Sequence, residues 1–181
     1  MNGVNKLSLN DFHLRYFIGI DFFKKQNYHA ALLFLLMSAR KNFHLAQYFV
    51  GLIYFEGLGT IRNLDKAKEY FTLAAENYNI KAAFKLGLIY FVEKKYDLAI
   101  YNFKLATNYK KTYESLFNIG LIYKELNKKL SNDIELEKND DIKSKLLIEY
   151  NKNKELAIKY FKLAADKNNT KAIKELEELS L

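Results

Sequence analysis

Hydrophobic and small residues recur along this chain with the spacing of helices. The motif Gly-Leu-Ile-Tyr begins at Gly51, Gly87 and Gly120, and a divergent copy, Gly-Ile-Asp-Phe, begins at Gly19. The four glycines are 32, 36 and 33 residues apart. A repeat of this length is typical of a solenoid whose unit is a pair of helices. The pattern therefore predicts an all-α chain, a right-handed α-solenoid of about four helical hairpins with a terminal capping helix.

Each glycine is followed by a small, a large apolar and a second small residue, which we assign to the second helix of the hairpin. In the four repeats these residues are Ala31, Leu35 and Ser38; Ala67, Phe71 and Ala74; Ala99, Phe103 and Ala106; and Ala157, Phe161 and Ala164. Small residues at such positions let two helices approach closely. An aromatic residue three places after each glycine is expected to fill the gap between one hairpin and the next.

The repeat predicts where the units and their helices begin and end. A single domain, 1–181, holds units at 11–42, 43–78, 79–111 and 112–169 and a cap at 170–181. The first helices are expected at 11–25, 43–55, 80–93 and from 112, and the second helices at 28–40, 64–77 and 96–108.

The fourth unit contains an insertion of about 25 residues, near 128–153. Its acidic and polar run, 132–141, predicts an exposed loop, and 142–150 has the periodicity to lengthen the second helix backwards. Two interpretations stay open. The insertion is either a partner-specific protrusion or a tolerated surface insertion with a small cost in conformational entropy.

The small and large apolar residues that follow Gly19 and Gly87 have the spacing of tetratricopeptide repeats, which these two units resemble. The segment 57–67, Gly-Leu-Gly-Thr-Ile-Arg-Asn-Leu-Asp-Lys-Ala, resembles the longer inter-helix loop of the Sel-like subfamily, with Thr60 and Asn63 departing from its usual residues. Gly57 and Gly59 permit positive φ where the helix ends, and Asn63 or Asp65 can cap the next helix.

Charge and composition narrow the function classes. The net charge is +8, but 26 of the 29 basic residues are lysine, and arginine is the residue suited to bidentate phosphate or base contacts. Nucleic acid therefore ranks below protein as a partner, and the charge suits an acidic partner. Cysteine is absent, which fits a reducing compartment, and no apolar run is long enough for a membrane span. A cytoplasmic protein is expected.

Candidate catalytic chemistry is absent from the sequence. His13, His29 and His44 have no partner at metal-ligand spacing, and Gly57-x-Gly59 lacks the lysine and hydroxyl residue of a phosphate loop. We therefore expect neither an enzyme, a metal, a cofactor nor a small-molecule substrate.

The resemblance implies a binding surface, because first helices of tetratricopeptide-type solenoids line the concave side. By register, the groove residues are Tyr16, Phe23, Tyr48, Leu52, Phe55, Phe84, Leu88, Phe91, Phe117 and Lys124, with Lys24 and Lys81 beside them. These aromatic side chains either seal each first helix against the next or form a groove for a peptide or helix.

The interpretation that follows is a non-catalytic scaffold or adaptor that binds a protein or peptide in the concave groove. A toxin-neutralising immunity protein is one form of this function. The alternative from another class is an RNA-binding repeat protein that uses its lysine-rich surface.

Overall fold

The computed structural model describes residues 11–107 and 112–180, and these form helices without a strand. In chain order the helices are α1 (Phe12–Lys24), α2 (Tyr28–Ala39), α3 (His44–Glu56), α4 (Leu64–Glu76), α5 (Ile80–Val92), α6 (Tyr96–Ala106), α7 (Thr112–Leu136), α8 (Asp140–Ala165) and α9 (Thr170–Ser180). The predicted limits of α1 to α6 are confirmed to within about two residues. The predicted helix ends at Asn108 and Leu181 lie outside the described residues.

The chain divides into two compact units, Met1–Leu86 and Gly87–Leu181. In the first unit α1 packs on α2, α2 on α3 and α3 on α4. In the second unit α6 packs on α7, α7 on α8 and α8 on α9. Consecutive helices are therefore the packing partners in both units, as expected for successive hairpins.

The repeat glycine faces the large apolar residue of its own hairpin in all four repeats. A Cβ added at Gly51 would lie 2.6 Å from Phe71 Cδ1, and one added at Gly87 would lie 2.6 Å from Phe103 Cδ1. The equivalent contacts join Gly19 to Leu35 and Gly120 to Phe161. All four large residues are fully buried. The predicted close approach of the two helices is therefore confirmed.

Stacked aromatic rings add a second contact inside three of the hairpins. Parallel ring pairs join the residue three places after the glycine to the residue before the large apolar one: Phe22 and Phe34 at 5.6 Å, Tyr54 and Tyr70 at 6.2 Å, and Tyr123 and Tyr160 at 5.9 Å. These rings stack within their own hairpin, and Phe22 and Tyr54 also pack against a core cluster that contains residues of the first and second hairpins. Their assignment to the gap before the next hairpin stays a prediction. The spacing places them opposite the second helix because they lie one turn beyond the glycine.

The turn between α3 and α4 contains two glycines with positive φ and ends in a capping asparagine. Gly57 and Gly59 have φ of 71° and 62°, and Asn63 Oδ1 accepts a hydrogen bond from Lys66 N at 2.9 Å. Asn79 caps α5 and Asn169 caps α9 in the same way. The predicted turn chemistry of segment 57–67 is confirmed, with Asn63 rather than Asp65 as the cap.

The insertion forms helix instead of the expected loop. α7 continues to Leu136 and α8 begins at Asp140, so only residues 137–139 connect them. Asn139 caps α8 by accepting from the backbone N–H groups of Asp141 and Ile142. The prediction of an exposed loop over 132–141 is wrong, because two helices that pack on each other tolerate polar outer faces. The backward extension of the second helix is confirmed.

Candidate functional site

All ten predicted groove residues are half-buried. Six lie in the first unit and four in the second. They are Tyr16, Phe23, Tyr48, Leu52, Phe55 and Phe84, and then Leu88, Phe91, Phe117 and Lys124. Each side chain is therefore neither core nor free surface, and the neighbours of each decide what it can do.

Two of the first-unit residues bridge neighbouring helices. Tyr16 and Phe23 of α1 contact Phe49 of α3, with ring centroids 6.3 and 5.2 Å apart, and Tyr16 also meets Phe43 edge to face at 5.0 Å. Burial raises the pKa of Tyr16. These contacts favour the sealing interpretation for α1.

Two others rest on the core of their own hairpin. Tyr48 and Phe55 contact the buried ring of Phe71, with centroids 6.0 and 6.1 Å apart. Burial, and secondarily the charge of Glu56, raise the pKa of Tyr48. Each ring is anchored on one side and reaches solvent on the other, which is the arrangement that aromatic anchors at interfaces have.

Cationic groups surround Phe55. Lys85 Nζ lies 4.6 Å from the centroid of the ring and Arg62 Cζ lies 5.8 Å from it. Arg62 Nε also donates to the backbone oxygen of Phe55 at 3.0 Å, and Lys85 Nζ pairs with Glu56 at 3.4 Å. The first unit therefore presents an aromatic ring with two positive groups over it, of which Lys85 is already paired with Glu56 and Arg62 suits an acidic ligand.

The second unit repeats the anchored aromatic, and its lysine is paired with two carboxylates where Lys85 is paired with one. Phe117 lies 5.8 Å from the buried ring of Phe161, and Phe91 lies 6.2 Å from Tyr96. Lys124 Nζ donates to Glu175 at 2.5 Å and to Glu178 at 2.8 Å. These hydrogen bonds raise the pKa of Lys124, and the first acidic groups that this lysine attracts belong to α9.

The flanking lysines and His13 lie at the exposed surface of the first unit. Lys24 and Lys81 are exposed, and His13 lies 3.3 Å from Asp11. Within residues 11–107 and 112–180, no group of acidic residues and histidines is placed to hold a metal ion. No helix of that same part is long and apolar enough to cross a bilayer.

Four segments match the model of one protein family, the Sel1 repeat: residues 5–43, 44–79, 80–108 and 149–169. Together they cover more than half of the sequence. The chain belongs to the Sel1 repeat family. The fourth match contains only the second helix of its hairpin, because the matched segments leave out 109–148, where most of the insertion lies.

Solved structures share the fold of this Sel1 repeat chain. A Sel1 repeat protein from Oxalobacter formigenes is 22% identical with a TM-score of 0.72, over 97% of this chain and 66% of the other. A protective antigen of uropathogenic Escherichia coli strains with an SLR fold is 15% identical, with a TM-score of 0.58, over 92% and 40%. A TPR repeats protein from Bacteroides fragilis is 16% identical, with a TM-score of 0.60, over 94% and 82%.

These likenesses confirm the predicted fold class, an α-solenoid of helical hairpins. The Sel1 repeat chain spans less than two thirds of the length of the first two of these structures. No curated protein sequence matches it. Proteins of the family generally serve as scaffolds for protein interactions.

Sequence reasoning missed three parts of the candidate surface in this Sel1 repeat protein. Phe49, which contacts both Tyr16 and Phe23, stands two places before its glycine and outside the register of the predicted groove residues. Arg62 and Lys85 come to Phe55 from a loop and from the next helix. Arg62 is the single basic residue of its loop and Lys85 lies in the middle of α5, so no local sequence pattern marks either of them.

Proposed function

We propose that this Sel1 repeat protein is a non-catalytic scaffold that binds a partner protein or peptide on the first helices of its hairpins. The half-burial of all ten register positions is the observation that carries the proposal. Tyr16 and Phe23 seal α1 against α3, whereas Tyr48, Phe55 and Phe117 rest on the buried phenylalanine of their own hairpin and leave part of each ring exposed. Rings anchored on one side cost little entropy when they bind a partner.

Within this surface, Phe55 is the strongest anchor and its partner is acidic. The ring contacts Phe71, and Arg62 and Lys85 lie over it at 5.8 and 4.6 Å from its centroid. A ligand carboxylate next to an apolar side chain would pair with Arg62, compete with Glu56 for Lys85, and place the apolar group on the ring. Phe91 takes the same register position in the second unit.

Site-specific photo-crosslinking tests the proposal. The photoreactive residue p-benzoylphenylalanine replaces Phe55 or Phe91 in the native cell, with Tyr101 as the matched control. Tyr101 is an aromatic residue that is 60% exposed on α6, a second helix. We expect a crosslinked protein at positions 55 and 91 and none at 101. Crosslinks at 101 alone, or at none of the three positions, would contradict the proposal.

The crosslinked product also separates the finer alternatives. A product that ribonuclease removes would replace the protein partner with RNA, and its binding would weaken steeply with salt. A secreted or toxic protein at the crosslink would make this chain an immunity protein, and a cellular complex would make it an adaptor. We place this activity in the cytoplasm, as the cysteine-free sequence favours.

A further inference from the structure

The last described helix, α9, lies where the first helix of a further hairpin would lie. The residue five places before the repeat glycine is small and buried in the second, third and fourth repeats: Ala46, Ala82 and Ser115. Ala172 is fully buried in α9, so Glu177 stands at the place of the glycine. α9 therefore continues the series of first helices, with a charged residue where a second helix would need a small one.

The contact between neighbouring first helices is aromatic near one end of the series and ionic at the other. It joins the residue four places after one glycine to the residue two places before the next. For α1 and α3 these residues are Phe23 and Phe49, whose ring centroids are 5.2 Å apart. For α7 and α9 they are Lys124 and Glu175, and Glu178 adds a second carboxylate at 2.8 Å from the same ammonium group. The junction of α9 therefore depends on charge at the positions where that of α1 depends on aromatic packing.

Two properties make α9 the first helix that detaches most easily. Its ion pairs reach water, since the side chains of Lys124 and Glu178 are 37% and 65% exposed, and such pairs weaken with salt. In the described part of the chain α3 packs on both α2 and α4, and α7 on both α6 and α8, whereas α8 is the helix on which α9 packs. A helix with fewer packed neighbours opens at a lower free energy.

α9 covers the part of the candidate surface that the fourth hairpin contributes. It pairs with Lys124 directly, and its Leu176 and Leu179 pack against the same apolar cluster as Phe117 and Leu121 of α7. α9 is thus an acidic amphipathic helix that lies on predicted groove positions, in the manner of a helix bound in a groove.

We propose that α9 is an autoinhibitory helix of this Sel1 repeat protein. It covers Phe117, Leu121 and Lys124 while it is docked, and a partner reaches these residues when α9 detaches. An acidic amphipathic segment of the partner then replaces α9 and pairs with Lys124 as Glu175 and Glu178 do. The inhibitory role rests on the proposed function, whereas the detachment of α9 can be measured without a partner.

Amide hydrogen exchange of the full chain, read by mass spectrometry of its peptic fragments, tests the detachment. We expect α9 to exchange faster than α3, and about 1 M sodium chloride to speed the exchange of α9 about threefold to tenfold while α3 changes little. Glu175→Gln/Glu178→Gln should give the same rise at low salt and remove the effect of salt. The matched variant Glu149→Gln/Glu155→Gln removes two exposed carboxylates of α8 and should leave the exchange of α9 within about twofold.

The exchange data can also contradict the proposal. Equal rises in the two double variants would overturn it, and so would an α9 that is as well protected as α3 at both salt concentrations. Fast exchange of α9 without crosslinks at positions 55 and 91 would support the detachment and contradict the proposed function, so the two failures are distinguishable.

A fluorescein-labelled peptide of residues 168–180 tests whether the uncovered surface accepts an acidic helix. By fluorescence anisotropy, we expect the full chain with Glu175→Gln/Glu178→Gln to bind this peptide about threefold to tenfold more tightly than the unchanged chain, because its own α9 competes less. Adding Lys124→Gln to that chain should remove the gain. A peptide with Glu175→Gln/Glu178→Gln is the matched control and should bind more weakly. Equal binding of the two peptides, or a gain that persists without Lys124, would overturn the proposal.

Discussion

The second and fourth hairpins share their inner contacts and differ in their connection. Phe71 follows Gly51 by 20 residues and Phe161 follows Gly120 by 41, yet a Cβ on either glycine would lie 2.6 Å from the opposing ring. The stacked tyrosine pairs of the two hairpins are also alike, at 6.2 and 5.9 Å. The comparison teaches that these few contacts fix a hairpin and leave the length of its connection free.

The connections themselves follow different physical rules. In the second hairpin, Gly57 ends α3 in the left-handed conformation and Asn63 begins α4. In the fourth, both helices continue past the repeat, and Leu130 and Asn153 are buried in that extension. A short loop is set by its own residues, whereas a long helical extension is set by what it packs against.

Truncation of the large apolar residue should have the largest effect, and the same effect in both hairpins. Phe71→Ala and Phe161→Ala each remove a fully buried ring and should cost about 3–5 kcal/mol of the free energy of unfolding in urea. Phe17→Ala, at a side chain that is 64% exposed, is the control and should stay within about 0.5 kcal/mol. A much smaller loss of stability for Phe161→Ala than for Phe71→Ala would show that the second and fourth hairpins are not equivalent.

Adding a methyl group at the repeat glycine should have the next largest effect. In Gly51→Ala and Gly120→Ala, overpacking against the ring costs about 1–3 kcal/mol, which exceeds the ~1 kcal/mol that alanine gains in a helix. Urea unfolding of Gly51→Ala, Phe71→Leu and the double variant measures the coupling. We expect the double variant to lose less stability than the sum of the two single variants, because leucine leaves room for the added methyl group. Strictly additive losses in the free energy of unfolding would contradict a direct contact between residues 51 and 71.

The third hairpin allows the aromatic stack to be added as well as removed. Asn102 stands where Tyr70 and Tyr160 stand in the hairpins compared above, opposite Tyr90. Asn102→Tyr should stabilise the chain, and Tyr160→Asn should destabilise it, each by about 1 kcal/mol in thermal or urea unfolding. Destabilisation by both variants would show that the third hairpin is packed around Asn102 itself.

The pH dependence should show the smallest effect. Burial raises the pKa of Tyr70 and Tyr123 above 10.0, so their contribution is complete below pH 10 and is lost as the pH rises through the higher folded-state pKa. We expect the melting temperature to fall above about pH 10 and Tyr70→Phe/Tyr123→Phe to flatten that fall. Tyr101→Phe, at an exposed side chain, is the control. An equal change in the pH dependence of the melting temperature in this control would contradict its assignment to Tyr70 and Tyr123.

Most of the fold could be predicted from the sequence because each repeat carries the same local signals. The glycine, the small residues and the large apolar residue mark which faces meet, and Gly57, Gly59 and Asn63 mark a turn. The extension was predicted poorly since the run 132–141 is polar on most sides, and its helices depend on packing against each other.

The positions of the candidate surface residues relative to their glycines could be predicted from the sequence. The residues that contact them could not. The sequence places Phe55, Phe91 and Lys124 at equivalent offsets from their glycines. It does not indicate that Arg62 and Lys85 reach one of these rings, nor that Glu175 and Glu178 neutralise Lys124, because those contacts join residues of different helices and loops.

The central claim is that the contacts between its two helices fix a hairpin, whatever the length of its connection. Deleting residues 129–153 tests this claim most directly. The deletion returns the fourth hairpin to the spacing of the third and puts Asn127 at the place of Lys94, whose φ is 58°. The measurement is the cost of Phe161→Ala in this shortened chain, from urea unfolding. We predict cooperative unfolding and a cost that is still about 3–5 kcal/mol. A shortened chain that does not fold, or one in which Phe161→Ala costs nothing, would contradict the claim.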